Sequence, residues 1–253
     1  MLLLRRLLPF LVGVLNAVCL LWQSRSPESY PWLALVAPAS YIAAGLVITH
    51  KRVRLKDVAA RLAAPALALV AAGYGLLLAE GDLARVLIPI FGGGVSFLAL
   101  ELLFLHVFLP TRYPVNGMSH LNLTLVPATL WFVNAVSSGL VMFIHAPRSI
   151  PVLASAAAGT ILFWSTAHVE ADADHRRRWS VLGGWLGAHV GLLAAFLPLT
   201  VTVQGGYAAV FGALALRARC YGIAPQLPRG LVWGELAGAA VLLVLMFGTA
   251  RWV

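Results

Sequence analysis

The chain alternates long apolar runs with short polar connections along almost its whole length. An α-helix needs about 20 apolar residues to cross the bilayer core, which is about 30 Å thick. Eight runs approach that length: 7–22, 31–49, 63–79, 85–109, 121–145, 151–169, 180–199 and 231–250. A ninth apolar segment, 200–216, is interrupted by Gln204, Gly205 and Gly206, so it is expected to be either a further span or a re-entrant piece. The pattern predicts an all-α, polytopic transmembrane helical bundle of about nine spans, forming a single integral-membrane domain over 1–253.

Composition supports a membrane location. Hydrophobic residues make up 61% of the chain and charged residues 11%, whereas soluble domains have about 45 to 50% and about 25%. A water-soluble fold cannot bury so much apolar surface, and the connections between the runs are too short for a soluble catalytic domain.

The net charge of +9 comes from Lys and Arg residues in the short loops. Such residues stay on the cytoplasmic side of a membrane. With nine spans and a cytoplasmic N-terminus, 14 of the 18 basic residues fall inside and four outside, whereas eight spans give 11 and seven. We therefore expect nine spans in the cytoplasmic membrane, with the C-terminus external. A nucleic-acid partner is not expected, because the basic residues do not form one continuous face.

One polar segment after the second span is especially basic. As a helix it would be amphipathic, and it is expected to lie on the anionic inner leaflet and bind membrane lipids. Its basic residues are Lys51, Arg52, Arg54, Lys56 and Arg61.

Ionisable residues within spans are costly to insert and are candidates for a functional site. Glu101 in the fourth span and His189 in the seventh lie far from the predicted span ends. His106, His168 and Glu235 lie about one turn or less from the predicted cytoplasmic ends of their spans. These five residues are the candidates for a buried polar site.

Two glycine-rich stretches occur on the spans that carry Glu101 and His189. They comprise Gly92–Gly94 and Gly183–Gly184 with Gly187. Glycines let membrane helices approach closely, and packing is their first interpretation. A close crossing of spans four and seven would also bring Glu101 and His189 together as a proton relay or cation site.

Cofactor and catalytic signals are sparse. His106 and His168 are at similar predicted depth, and a pair on facing helices is what heme b would require. The acidic cluster at 170–175 precedes three arginines and is interpreted as a solvated loop, so no metal site is predicted. Hydrolase, zinc-protease and P-loop motifs are absent from the sequence, and catalytic residues therefore stay unassigned.

Three classes of function are compatible with these features. The first is a small transporter or permease with a polar site between spans four and seven. The second is a non-catalytic subunit or assembly factor that binds partner membrane subunits. The third is a membrane-embedded enzyme or heme protein acting on a lipid or quinone.

Overall fold

The computed structural model describes residues 2–50, 52–167, 173–197, 199–223 and 229–250. Within these ranges the chain forms nine α-helices, joined by short loops and single 3₁₀ turns. They are α1 Leu2–Arg25, α2 Trp32–Thr49, α3 Leu55–Gly75, α4 Asp82–Phe108, α5 Gly117–Ile144, α6 Ser149–Ala167, α7 Ala173–Phe196, α8 Val201–Ile223 and α9 Arg229–Thr249. The predicted all-α bundle is confirmed.

Among the described residues, the helices α1 to α7 are each long and apolar enough to cross a membrane. The segment 200–216 is not broken at Gln204, because α8 is one continuous helix of 23 residues. In α9 the apolar stretch Val232–Gly248 is shorter.

The basic segment after α2 differs from the separate surface helix that the sequence predicts. α3 begins at Leu55 and runs without interruption to Gly75, so Lys56 and Arg61 belong to its first two turns. Long basic side chains can extend from the end of a spanning helix to the polar interface. A helix that crosses the membrane can therefore begin several residues before its apolar run.

The helices pack as two groups of four with the same pairing in each group. In the first group α1 packs mainly on α4, and α2 on α3; in the second, α5 packs mainly on α8, and α6 on α7. The groups meet chiefly where α3 contacts α5, and α9 packs on α8. Four crossings restore the direction of the chain, so the two groups run parallel.

A buried asparagine occupies a similar place in each group, within the sequence Asn-Ala-Val at 16–18 and again at 134–136. The Oδ1 atom of Asn16 accepts a hydrogen bond from Ser40 of α2, and that of Asn134 accepts one from Ser155 of α6. In both groups the bond joins the first helix to the second. The two groups therefore resemble each other in their main helix pairs and in this hydrogen bond, although the sequence has no fixed period.

Glycines determine which helices pair most closely. On α4, a Cβ atom at Gly93 would lie 2.7 Å from the Cβ of Ala17 on α1. On α7, Gly183, Gly187 and Gly191 lie directly against the backbone of α6. The interpretation as packing residues is confirmed for these glycines except Gly94, which has open space beside it. The others join span four to α1 and span seven to α6.

Candidate functional site

The fourth-span carboxylate Glu101 is paired with an arginine. It accepts a hydrogen bond from Arg6 of α1 at 2.5 Å, and the Arg6 guanidinium also lies over the ring of Phe104. Glu101 is seven residues from the end of α4, about 10 Å along the helix axis, so it is less deep than its sequence context suggests. The side chain of Arg6 is 49% exposed and that of Glu101 is 21% exposed, as expected for a pair near a membrane interface.

His189 lies on the outside of the bundle instead of in a buried site. Its Nδ1 atom is 2.9 Å from the carbonyl oxygen of Trp185, one turn earlier on the same helix. It borders an otherwise apolar cavity of about 210 Å³ between α5, α6, α7 and α8. The structure does not bring His189 and Glu101 together, because the glycines on their helices face different neighbours.

Glu235 likewise forms an ion pair, with Arg217 of α8 at 2.7 Å. His168 lies outside the described residues, so the proposed heme pair with His106 stays a prediction. In the part of the chain that the structure describes, no group of three or more His, Cys, Asp or Glu side chains could hold a metal ion.

The residues of the predicted lipid-facing segment divide into two sets. Arg52, Arg54 and Lys56 are exposed, and the Arg52 guanidinium lies 4.5 Å from the centre of the Phe108 ring. Arg61 is half-buried, and its Nε atom is buried without an acceptor. Lys51 lies outside the described residues. We call the end of the bundle that carries this segment the basic end.

Unsatisfied polar groups concentrate on α5. Ser119, Asn122 and Thr129 are 2%, 1% and 0% exposed, respectively. The two hydroxyl oxygens and both polar atoms of the Asn122 amide have no hydrogen-bond partner. Buried side-chain polar groups in proteins usually have a partner, so each of these needs a physical explanation.

This polar side of α5 faces α3. Ala68 of α3 shares a core cluster with Leu125, and one heptad later Gly75 lies against the ring of Phe132. Asn122 and Thr129 are each three residues before one of these α5 contacts, on the same side of the helix. One heptad before Ala68, the same register brings Arg61 level with Met118 at the start of α5.

Other polar groups surround Arg61 at the basic end. Arg61 is close enough to His106 of α4 to act on it electrostatically. The His106 ring packs against Tyr113 with 5.0 Å between ring centres, and the Tyr113 hydroxyl accepts a hydrogen bond from the backbone N–H of Met118 at 2.9 Å. Arg61 and His106, predicted for different roles, therefore lie in one region where α3, α4 and α5 meet.

At the opposite end of the bundle, an open cleft of about 640 Å³ separates the two helix groups. Its walls include Gly75, Glu80 and Ile88 from the first group. The second group contributes residues of α5 and the start of α8, among them Trp131, Phe132, Thr200 and Thr202. Thr129 lies one turn of α5 from Phe132, on the side toward the basic end.

The middle of this interface, along α5 from Ser119 to Thr129, contains no ionisable side chain of that helix except His120. Its signal in the sequence is the density of small polar residues in the fifth span, where Asn122, Thr124, Thr129, Asn134, Ser137 and Ser138 occur within 17 positions. An amide or hydroxyl is less costly to bury than a charge, so it stands out less in a hydropathy pattern. Comparison of the chain with protein-family profiles, with curated proteins and with solved structures gives no match.

Proposed function

We propose that this protein is a small membrane transporter whose solute crosses between the two helix groups, along the side of α5 that faces α3. The observation that carries the proposal is the set of buried, unpartnered polar atoms of Ser119, Asn122 and Thr129. A buried polar group without a partner costs about 1 to 3 kcal/mol. A polar solute, or the water that accompanies it, would supply the missing partners during passage.

Both ends of this route have suitable features. The cleft at Trp131 and Phe132 reaches to within one turn of Thr129, and half-buried Arg61 lies level with the start of α5 at the other end. From Ser119 to Thr129 is ten residues, or about 15 Å of helix. The remaining barrier is therefore about half of the roughly 30 Å thickness of the bilayer core.

The similar main pairing of the two parallel groups adds support, because several transporter folds consist of two parallel repeats with the solute site at their interface. The route proposed here lies at such an interface and replaces the site between spans four and seven. We assign the basic end to the cytoplasm and the cleft to the external side, with a cytoplasmic N-terminus, because basic loops are retained inside.

Thiol labelling tests the route without knowledge of the solute. In a background where Cys19 and Cys220 are replaced by serine, Asn122→Cys and Thr129→Cys would be treated with a small membrane-impermeant methanethiosulfonate on either side of reconstituted vesicles. Both cysteines are expected to react, because a transporter opens this interface in part of its population.

Two positions provide matched controls. Val115 lies in a loop and is 85% exposed, so Val115→Cys should react rapidly. Leu98 is 49% exposed on the outer side of α4, so Leu98→Cys should face lipid and stay unmodified. Reaction of Asn122→Cys and Thr129→Cys no faster than that of Leu98→Cys, from both sides, would contradict the transport route.

The other two classes of function stay predictions. An apolar cavity bordered by His189 suits part of a lipid or quinone, and the outer side of α9 is apolar and exposed, as at Trp233 and Val244. Co-purification of a lipid, quinone or polypeptide in mild detergent would favour one of them over transport.

A further inference from the structure

We infer that the transported solute carries a compact oxyanion, a carboxylate or a phosphate, which binds at the basic end between α3, α4 and α5. This inference rests on the proposed transport function and specifies the class of its substrate. The proposed binding groups are Arg61, Ser119 and Asn122, with His106 and Tyr113 at the edge of the site.

Arg61 supplies the charge. A guanidinium is permanently protonated and presents a planar set of N–H donors that matches a carboxylate or phosphate. Within the described ranges no carboxylate pairs with Arg61, whereas Arg6 and Arg217 each have a glutamate partner. Asp57 lies one turn before Arg61 on α3, and no ion pair joins the two in the part of the chain that the structure describes. His106 acts on Arg61 electrostatically but is neutral or cationic and cannot neutralise it. An anionic ligand would supply the missing counter-charge.

The start of α5 supplies further donors. Ser119 and Asn122 are at least 98% buried on the first turns of this helix, and their side chains have no protein partner. The N-terminal end of a 28-residue helix also carries a partial positive charge that favours anions. Tyr113 accepts a bond from Met118, so its own hydroxyl hydrogen stays available to a ligand.

The surroundings strengthen the preference for negative charge. Arg5 and Arg52 both lie over the ring of Phe108 at the end of α4, 5.7 and 4.5 Å from its centre. A cluster of cations near a low-dielectric interior raises the local concentration of anions. The paired, directional donors of Arg61 and Asn122 would then favour an oxyanion over chloride.

The test measures thermal unfolding of the purified full chain in detergent, titrated with sodium phosphate or sodium acetate. Sodium chloride at the same ionic strength is the reference. Phosphate, acetate or both should raise the unfolding midpoint in a saturable way that chloride does not reproduce. Arg61→Gln and Asn122→Leu should weaken that binding by roughly tenfold or more, because each removes a charge-assisted hydrogen bond.

Arg54→Gln is the matched control, since Arg54 is exposed at the same end of the bundle and should leave the phosphate effect unchanged. Asn122→Asp keeps the size of the side chain and places a carboxylate within the proposed site, one turn of α5 from the level of Arg61. It should unfold at a higher temperature than the parent protein without phosphate and should no longer respond to phosphate.

Two outcomes would overturn the inference. One is the absence of any effect of phosphate and acetate beyond that of chloride. The other is stabilisation by phosphatidylglycerol in mixed micelles but not by either free anion, because the ligand would then be a membrane lipid. If Thr129→Cys is labelled but no anion binds, the transport route is supported and the oxyanion site is contradicted. If an anion binds but Thr129→Cys is not labelled, the binding site is supported and the transport route is contradicted.

Discussion

Arg6 and Glu101 form an ion pair that links α1 to α4 close to the basic end. Each side chain neutralises the charge of the other. Glu235 is held in the same way by Arg217. In contrast, Ser119, Asn122 and Thr129 are uncharged, more deeply buried and unsatisfied. At the scale of single residues, Glu101 and Glu235 join helix pairs through arginines, whereas Ser119, Asn122 and Thr129 have no hydrogen-bond partner in the protein.

Glu101→Gln should therefore affect stability and not the transport route. Because the pair is partly exposed, its loss should lower the free energy of unfolding by about 1 kcal/mol or less. The reaction of Thr129→Cys with an impermeant thiol reagent should stay unchanged. An unfolding curve in detergent measures the first effect, and the double variant with Arg6→Gln controls for the arginine left unpaired. Loss of labelling in a stably folded Glu101→Gln protein would return Glu101 to the functional site.

At the scale of helices, the contact between α6 and α7 depends on the absence of side chains. Gly183, Gly187 and Gly191 recur every four residues along one side of α7, and each lies against backbone of α6. Close backbone approach is the usual role of small residues in membrane helix pairs. These contacts fix α7 beside α6 and thereby leave His189 on the outer surface.

Gly187→Val should destabilise the bundle by about 1 to 3 kcal/mol, the usual cost of overpacking a tight contact. Gly94→Ala is the matched control, because a Cβ atom at Gly94 meets nothing within 4 Å. It should be neutral or raise stability by up to about 1 kcal/mol, since alanine is the better helix former. Equal unfolding midpoints for the two variants would refute this account of the α6–α7 pair.

At the scale of the whole molecule, the two parallel groups of four helices meet along one long interface. The two ends of this interface differ in shape and charge. The cleft beside Glu80 opens at one end, and Arg61 lies at the other. Because consecutive helices alternate in direction, the described loops at the basic end would share one side of a membrane. The side on which that end lies decides which way the route faces.

Single cysteines in the loops should report this orientation in intact cells. With Cys19 and Cys220 replaced by serine, Glu80→Cys should react with an impermeant thiol reagent added outside, and Arg54→Cys should react only after the cells are permeabilised. The reason is the excess of basic residues at the Arg54 end. The opposite pattern would invert the assigned orientation without changing the fold.

Much of the fold is predictable from the hydropathy pattern, because the bilayer requires long apolar helices whatever their arrangement. The errors lie where polar residues enter a span. The hydropathy pattern starts the third span at 63, whereas α3 begins at Leu55, since Arg61 and Lys56 reduce local hydropathy. Likewise, Gln204 interrupts the apolar pattern of α8, although that helix is continuous. The candidate site was less predictable, because a hydroxyl or amide gives a weak signal and its surroundings depend on neighbouring helices.

The sequence by itself determined that this is an all-α membrane protein, where its helices lie, and how its basic residues are distributed between the loops. Those properties depend on the local balance of apolar and charged residues. Only the tertiary structure decided that Glu101 meets Arg6, that His189 faces outward, and that Arg61 lies level with the start of α5. Such pairings depend on helix neighbours and register, which are set by close contacts between distant glycines and small side chains.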